Sequence, residues 1–440
     1  MTDAPADGTP IPLVEAAAER LARVAAAEAE ADAAFTELTR AAALPEGITR
    51  NSRLGDALLL VERLRSALPG PELPPMLPRP GQSDADWRAA VAEARTAHNA
   101  YAVSFQSAVR ERGREALGVP GGGILAWELE PGIHPPAPED IRIDVDAIRL
   151  TRSFGEASGA ADGDVPGGAA GDIVDAVDAG ACPAAWTTSI RIQRPDLGVG
   201  GPAAAGAAPA IVELHGGAFW MGDGDCLRAL GDPSARYLAG RLGAVVVTVD
   251  YHLTPEHGYP TPVLDAIAAI DWVRANAATL GVDAGRILLA GTSSGGNVAT
   301  AAAIADGERE GVPPLAGVVL TAPALDLTDF GTFYSSTPER RTARAALLDA
   351  YTGAVDAGAP TVSPARHPVP ATFPPAVVVT SAFDEVAAGS AQWAAGLADA
   401  GIPVRHGVFE MTHTLGHPHD EADMREYLAA GMEWLLAGAR

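Results

Sequence analysis

Between Arg286 and Ala299 the chain passes from an apolar, strand-type run into Gly291-Thr292-Ser293-Ser294-Gly295, then directly into an Ala-rich helical run. Few features restrict a fold more. Strand and helix approach closely at such a turn, so small residues must flank the serine, whose hydroxyl is held clear at the tip of a sheet. The next backbone N–H, that of Ser294, falls at the helix start, where the helix dipole favours negative charge. In a chain with 48 glycines the pattern alone could be an ordinary tight turn. Its flanks and the motifs below decide for the nucleophile turn.

From Ala210 onward, apolar strand runs alternate with helical runs. The strands are Ile211–Leu214, Val245–Val249, Ile287–Ala290, Val318–Thr321, Val377–Thr380 and Val404–Phe409. That alternation predicts an α/β fold, a mostly parallel sheet with helices on both faces. Fully apolar strands fit burial on both sides.

The first part of the chain reads differently. Val14, Leu21 and Phe35, and Ala17, Val24, Ala31 and Leu38, repeat at sevens over a helix from about 12 to 44, interrupted at Glu28. A second helix fits 52–68. A third starts at Ser83, an N-cap residue, and runs to about Leu117. Residues 1–118 are therefore expected to form an α-helical region, either a cap over a site or a dimerisation arm. The rest, 119–440, is expected to be the main domain, with strands over Ile141–Leu150 and Ser189–Gln193. Between these strands, Gly155–Gly180 is Gly/Ala/Asp-rich and expected to be a surface insertion.

Net charge is −25, and every basic residue besides histidine is arginine. Without lysine there is no Schiff base, Ser-Lys dyad or Walker-type phosphate loop. The acidic balance argues against nucleic acid and anionic membrane as partners. Cys182 and Cys226 are isolated, as free thiols in a reducing compartment would be. With an acidic start and no bilayer-length apolar run, the expectation is a cytoplasmic protein with no membrane partner.

His215-Gly216-Gly217-Ala218-Phe219-Trp220 follows the Ile211 strand directly. A glycine pair there lets backbone N–H groups face a site with no side chain in the way. Together with the Ser294 N–H, those of Gly216 and Gly217 would make a three-donor oxyanion hole. Phe219 and Trp220 are expected to wall a substrate pocket.

With these motifs, Asp250-Tyr251-His252-Leu253-Thr254-Pro255-Glu256-His257, and Phe383-Asp384 after the Val377 strand, the chain resembles the bacterial hormone-sensitive-lipase-like family of α/β-hydrolases, in its Gly-Thr-Ser-Ala-Gly branch. The resemblance covers about 187–440. It implies an α/β-hydrolase fold and a triad in the order Ser293, Asp384, His413. Asp384 stands at a strand end, where a carboxylate can fix the tautomer of a histidine, with Glu385 beside it as the other candidate. His413 falls where the family has its general base. The sequence departs from the family at Ala218 (usually Gly), Ser294 (usually Ala) and His252 (usually Arg). The His252 change is expected to alter an ion pair with Glu256.

His413, His417 and His419 also have metal-type spacing, but Gly416 and Pro418 interrupt any helix there, so no metal is expected and the latter two read as loop residues. No cofactor is expected either. The function that follows is a serine carboxylesterase acting on small to medium acyl esters. An acyltransferase or amidase on the same triad is one alternative, and a non-catalytic ligand-binding protein of the same fold is the other. A homodimer is the only protein partner the helices point to.

Overall fold

The computed structural model describes residues 78–116, 135–155, 170–195, 207–328, 338–413 and 416–439, with scattered positions from 53 to 76. The heptad helix expected over 12–44 lies outside them. So do most of the helix over 52–68, the boundary near residue 118 and residues 156–169 of the insertion.

Helix α1 (Asp84–Ala116) begins where Ser83 predicts. Ser83 Oγ accepts from the Asp86 N–H at 3.1 Å, and Asp84 and Asp86 put negative charge at the helix start. Trp87 and Val91, one turn apart, are buried. Strand β1 (Glu139–Asp146) alternates buried and exposed as its sequence does. It ends sooner than expected, because Asp146 Oδ1 accepts from the Arg149 N–H at 2.9 Å and caps helix α2 (Ala147–Gly155). A local cap has overridden the strand pattern there.

The end of the expected insertion is also ordered. Gly171–Asp178 forms helix α3, with Ile173 and Ala176 buried against α2. Asp172 fixes it to the core by accepting from the Thr361 N–H and hydroxyl, at 3.1 and 2.7 Å. The chain continues as β2 (Ala185–Gln193), β3 (Ala208–Leu214), α4 (Gly224–Leu242), β4 (Val245–Asp250), α5 (Thr261–Ala275), the short α6 (Ala277–Leu280) and β5 (Val282–Thr292). Then come α7 (Ser294–Gly307), β6 (Gly317–Thr321), α8 (Pro338–Thr352), β7 (Ala376–Phe383), α9 (Ala387–Asp399), β8 (Val404–Thr412) and α10 (Pro418–Leu436).

The eight strands among the described residues form one sheet in the order β1-β2-β4-β3-β5-β6-β7-β8. β1 with β2 and β2 with β4 are antiparallel; the remaining pairs are parallel. Alternate residues serve opposite faces. Ala210, Val212 and Leu214 of β3 join the core under α5, α7 and α9. Ile211, with Val246, Leu288 and Val319, packs under α4 and α10. After β3 the chain lays β4 on one side and β5 on the other, so strand order reverses at β3. The crevice beyond the carboxyl ends of strands at such a reversal is where open α/β sheets place their sites.

Candidate active site

Ser293 stands at the carboxyl end of β5 with φ 57° and ψ −119°, a backbone conformation that side-chain-bearing residues rarely adopt. Its surroundings hold it there. Its N–H donates to Thr321 O at 2.9 Å, and its carbonyl accepts from Ala324 N at 3.1 Å and Asn297 N at 3.2 Å. The flanking glycines are required by contact. A Cβ on Gly291 would lie 2.6 Å from the Gly295 carbonyl carbon, and one on Gly295 would lie 2.7 Å from that of Leu214.

Three side chains from three loops meet in line. Ser293 Oγ lies 2.7 Å from His413 Nε2, and His413 Nδ1 lies 2.7 Å from Asp384 Oδ2. The Asp384 side chain is wholly buried, and its other oxygen accepts from the Val386 N–H at 3.1 Å. The sequence left Asp384 and Glu385 both open; the imidazole is turned to Asp384. With Nδ1 donating to the carboxylate, Nε2 is free to accept the serine proton.

Register brings the His-Gly-Gly turn alongside. Leu214 pairs with Gly291 across β3 and β5, so the turns after the two strands abut. The Cβ position of Gly216 is 3.3 Å from that of Ser293. Gly217 has φ 139°, and a Cβ there would run into the backbone of Met221. Trp220 N and Met221 N both donate to Gly217 O at 3.1 Å, closing the turn. Ala218 and Phe219 also take positive φ, 51° and 66°. Tyr251 braces the turn from below: its hydroxyl donates to His215 O at 2.8 Å and its ring stacks on His215 at 4.3 Å. Burial pushes the His215 imidazole below its ordinary range and the Tyr251 phenol well above its own, so both stay neutral.

A cavity of about 500 Å³ opens beside this cluster. Ser293, His413, Gly216 and Gly217 line it together with Gln106 of α1, residues of α4 and α10 and the strand ends. Phe219 and Trp220 do not line it, contrary to expectation. Phe219 is buried and stacked on Tyr351 at 3.8 Å; Trp220 is buried edge-on to His98 of α1 at 4.9 Å. The left-handed backbone of this turn directs both rings into packing.

Other expectations change. His252 pairs with Asp265, through Nδ1 at 2.9 Å and its backbone N–H at 2.8 Å, while Arg95 of α1 takes Glu256. Pro418 does not break a helix but begins one: it sits in the first turn of α10, and buried His417 caps it, Nδ1 accepting from His419 N at 3.3 Å. Among the described residues no group of three His, Cys, Asp or Glu could hold a metal, and no helix is long and apolar enough to cross a membrane.

Sequence reasoning also missed several residues around the site. Arg95 donates to Trp220 O at 2.6 Å and Thr254 O at 2.9 Å, and Asn99, one turn on, donates to Asp223 at 2.6 Å and accepts from Gly222 N at 3.0 Å. Helix α1 therefore grips the two loops that frame the His-Gly-Gly turn. Glu213 lies in a strand whose sequence is otherwise apolar; a lone acid among buried neighbours is the available signal.

A family model described as alpha/beta hydrolase fold matches residues 211–417. The esterase LipI of Mycobacterium tuberculosis is 35% identical over 219 residues, 47% of this chain and 65% of LipI. Carboxylesterase NlhH of the same species is 45% identical over 116 residues, 26% of this chain and 34% of NlhH. The chain thus spans less than two thirds of either relative. Among solved structures, an esterase of Pyrobaculum calidifontis is similar with a TM-score of 0.56 at 24% identity, over 86% of this chain and 99% of the other. That likeness bears on fold alone. The matched span includes the serine elbow, the His-Gly-Gly turn and the line from Ser293 through His413 to Asp384, and over it the chain has the alpha/beta hydrolase fold.

Proposed function

We propose that the protein is a serine carboxylesterase of the hormone-sensitive-lipase-like kind. The observation that carries this reading is the unbroken line of two 2.7 Å contacts from Ser293 Oγ through His413 to Asp384. The names of LipI and NlhH, an esterase and a carboxylesterase, support it.

In this reading Ser293 Oγ attacks the ester carbonyl while His413 Nε2 takes its proton. Asp384 orients the ring and stabilises the imidazolium. The carbonyl oxygen gains negative charge and is met by the N–H groups of Gly216, Gly217 and Ser294. Ser294 is the first residue of α7, so its N–H has no partner in the helix ladder. The C–O bond to the alcohol then breaks, and His413 returns its proton to the leaving oxygen. Water, deprotonated by His413, attacks the acyl-serine; the acid leaves, and Ser293 recovers its proton. These steps need no metal or cofactor.

The test is hydrolysis of a short-chain chromogenic ester by wild type and by Ser293→Ala. The substitution should abolish turnover while circular dichroism and melting stay those of a folded protein. A mutant retaining more than about a hundredth of wild-type turnover would remove Ser293 from the mechanism, since losing a triad nucleophile ordinarily costs far more.

A further inference from the structure

The cavity beside Ser293 has an unusual lining. Four of the chain's six methionines face it: Met221, Met411, Met424 and Met432. Thioether side chains are unbranched and adaptable, so they fit apolar ligand parts of differing outline. Into this apolar space projects Glu213, one residue before the carboxyl end of β3, where Thr248 and Ala290 flank it on the neighbouring strands. It shares its sheet face with Ile211, toward α4 and α10.

Glu213 has little around it to satisfy a carboxyl group. The residue is partly buried, its Oε2 is closed to bulk solvent, and that oxygen has no hydrogen-bond partner in the protein. Burial pushes the carboxyl up to about 7, with the Ser234 hydroxyl pulling weakly the other way. Other charged or titratable groups facing the cavity are Glu421 and Arg425 of α10 and His413. Glu421 accepts from Gly416 N at 3.0 Å, and Arg425 lies over the Tyr237 ring at 5.9 Å. A buried oxygen left without a donor destabilises the fold. Valine at this core position of a central strand would leave no such oxygen unpaired, so packing alone does not account for the acid.

We infer that this cavity receives one limb of the substrate, and that Glu213 is a specificity residue which selects an apolar limb bearing an N–H or O–H donor. The inference rests on the ester reading only in taking the ligand for part of a substrate. An amine and an alcohol share the donor chemistry, and the experiment separates them. Ligands lacking the donor would leave Glu213 unpaired, and sites built to pair a substrate hydroxyl or amine discriminate strongly against analogues without one.

The test uses binding, not turnover, so that it stands apart from the Ser293→Ala assay. Hexylamine, 1-hexanol and methyl pentyl ether are titrated into full-length protein by calorimetry, at 0.15 M salt to suppress non-specific attraction of the amine. Wild type should bind at least one of the donors about tenfold or more tighter than the ether, which can only accept. Glu213→Leu should abolish that preference. Glu213→Gln, which keeps an acceptor of nearly the same shape, should retain any preference for hexanol and lose any preference for hexylamine; it also covers the case in which the leucine variant fails to fold. Equal binding of all three probes, no binding by any, or a hexylamine preference surviving Glu213→Gln would overturn the inference.

Discussion

The His413 ring is held by Asp384 at 2.7 Å, from a carboxylate with a wholly buried side chain at the end of β7. Replacing Asp384 with Asn keeps the shape and presents an N–H where His413 needs an acceptor. The ring then turns to its other tautomer and Nε2 can no longer take a proton. Turnover should fall by about 10⁴-fold, the loss seen for the corresponding change in a serine protease. Glu385→Gln should change it by no more than severalfold. Steady-state kinetics on one ester decides, and the reverse pattern would make Glu385 the triad acid.

Gly217→Ala should abolish the proposed turnover without touching a functional side chain. Its φ of 139° and the nearby Met221 backbone leave no room for a methyl group. The turn must shift, taking its N–H groups away from the carbonyl oxygen. Losing one such donor costs about 10²–10³-fold in kcat. The fall should appear in kcat with little change in KM, and an unchanged kcat would remove this turn from transition-state binding.

Helix α1 should behave as part of the working protein. Arg95, largely buried, serves Trp220 O, Thr254 O and the Glu256 carboxylate. Arg95→Ala leaves a half-buried carboxylate and two carbonyls short of donors and should cost on the order of 3 kcal/mol. Urea melts measure this. Starting the chain near Gly121 removes Arg95 and Asn99 together. That shorter protein should lose more stability than Arg95→Ala and should discriminate less among acyl groups, because Gln106 of α1 also faces the cavity. Unchanged selectivity in a soluble shortened protein would deny the N-terminal region a role at the entrance. Conversion of a dimer to a monomer, read by light scattering, would make it a dimerisation arm.

Glu213 gives a stability prediction with a definite sign. Its carboxyl is raised from 4.5 to about 7 on folding. Between these values the unfolded chain has lost the proton and the folded chain keeps it, so folding takes up a proton. Stability should therefore fall as pH rises through this window. Below about 4.5 the group contributes no penalty; above about 7 the full penalty, on the order of 3 kcal/mol, is present. Glu213→Gln has no such proton, so it should melt higher than wild type at pH 8, with the gap closing toward pH 4.5. A gap independent of pH would show that Glu213 is not the titrating group.

Much of this was readable in the chain because it is written locally. Each parallel strand is a short apolar run, and the serine turn carries its glycines within two residues of Ser293. His413 and Asp384 follow strands whose ends point to one place. What escaped was set by contacts between distant segments. Arg95 meets Glu256 across 161 positions, and His252 turns to Asp265, a partner fixed by the packing of α5. Phe219 and Trp220 lie next to the right turn in sequence, but its left-handed backbone sends them elsewhere. Asp146 and Pro418 were misread because a cap and a first-turn proline mark where a helix begins, and the strand or loop pattern around them hid it.

The backbone at Ser293, φ 57° and ψ −119°, has a longer reach. Such a conformation suits glycine and burdens any side chain by about 1–3 kcal/mol. Selection for folding alone would replace this serine with glycine; under the proposed reaction, selection for chemistry retains it. The residue therefore works as a record of use: a descendant lineage released from its reaction would be expected to drift to glycine here early and gain stability as it did so.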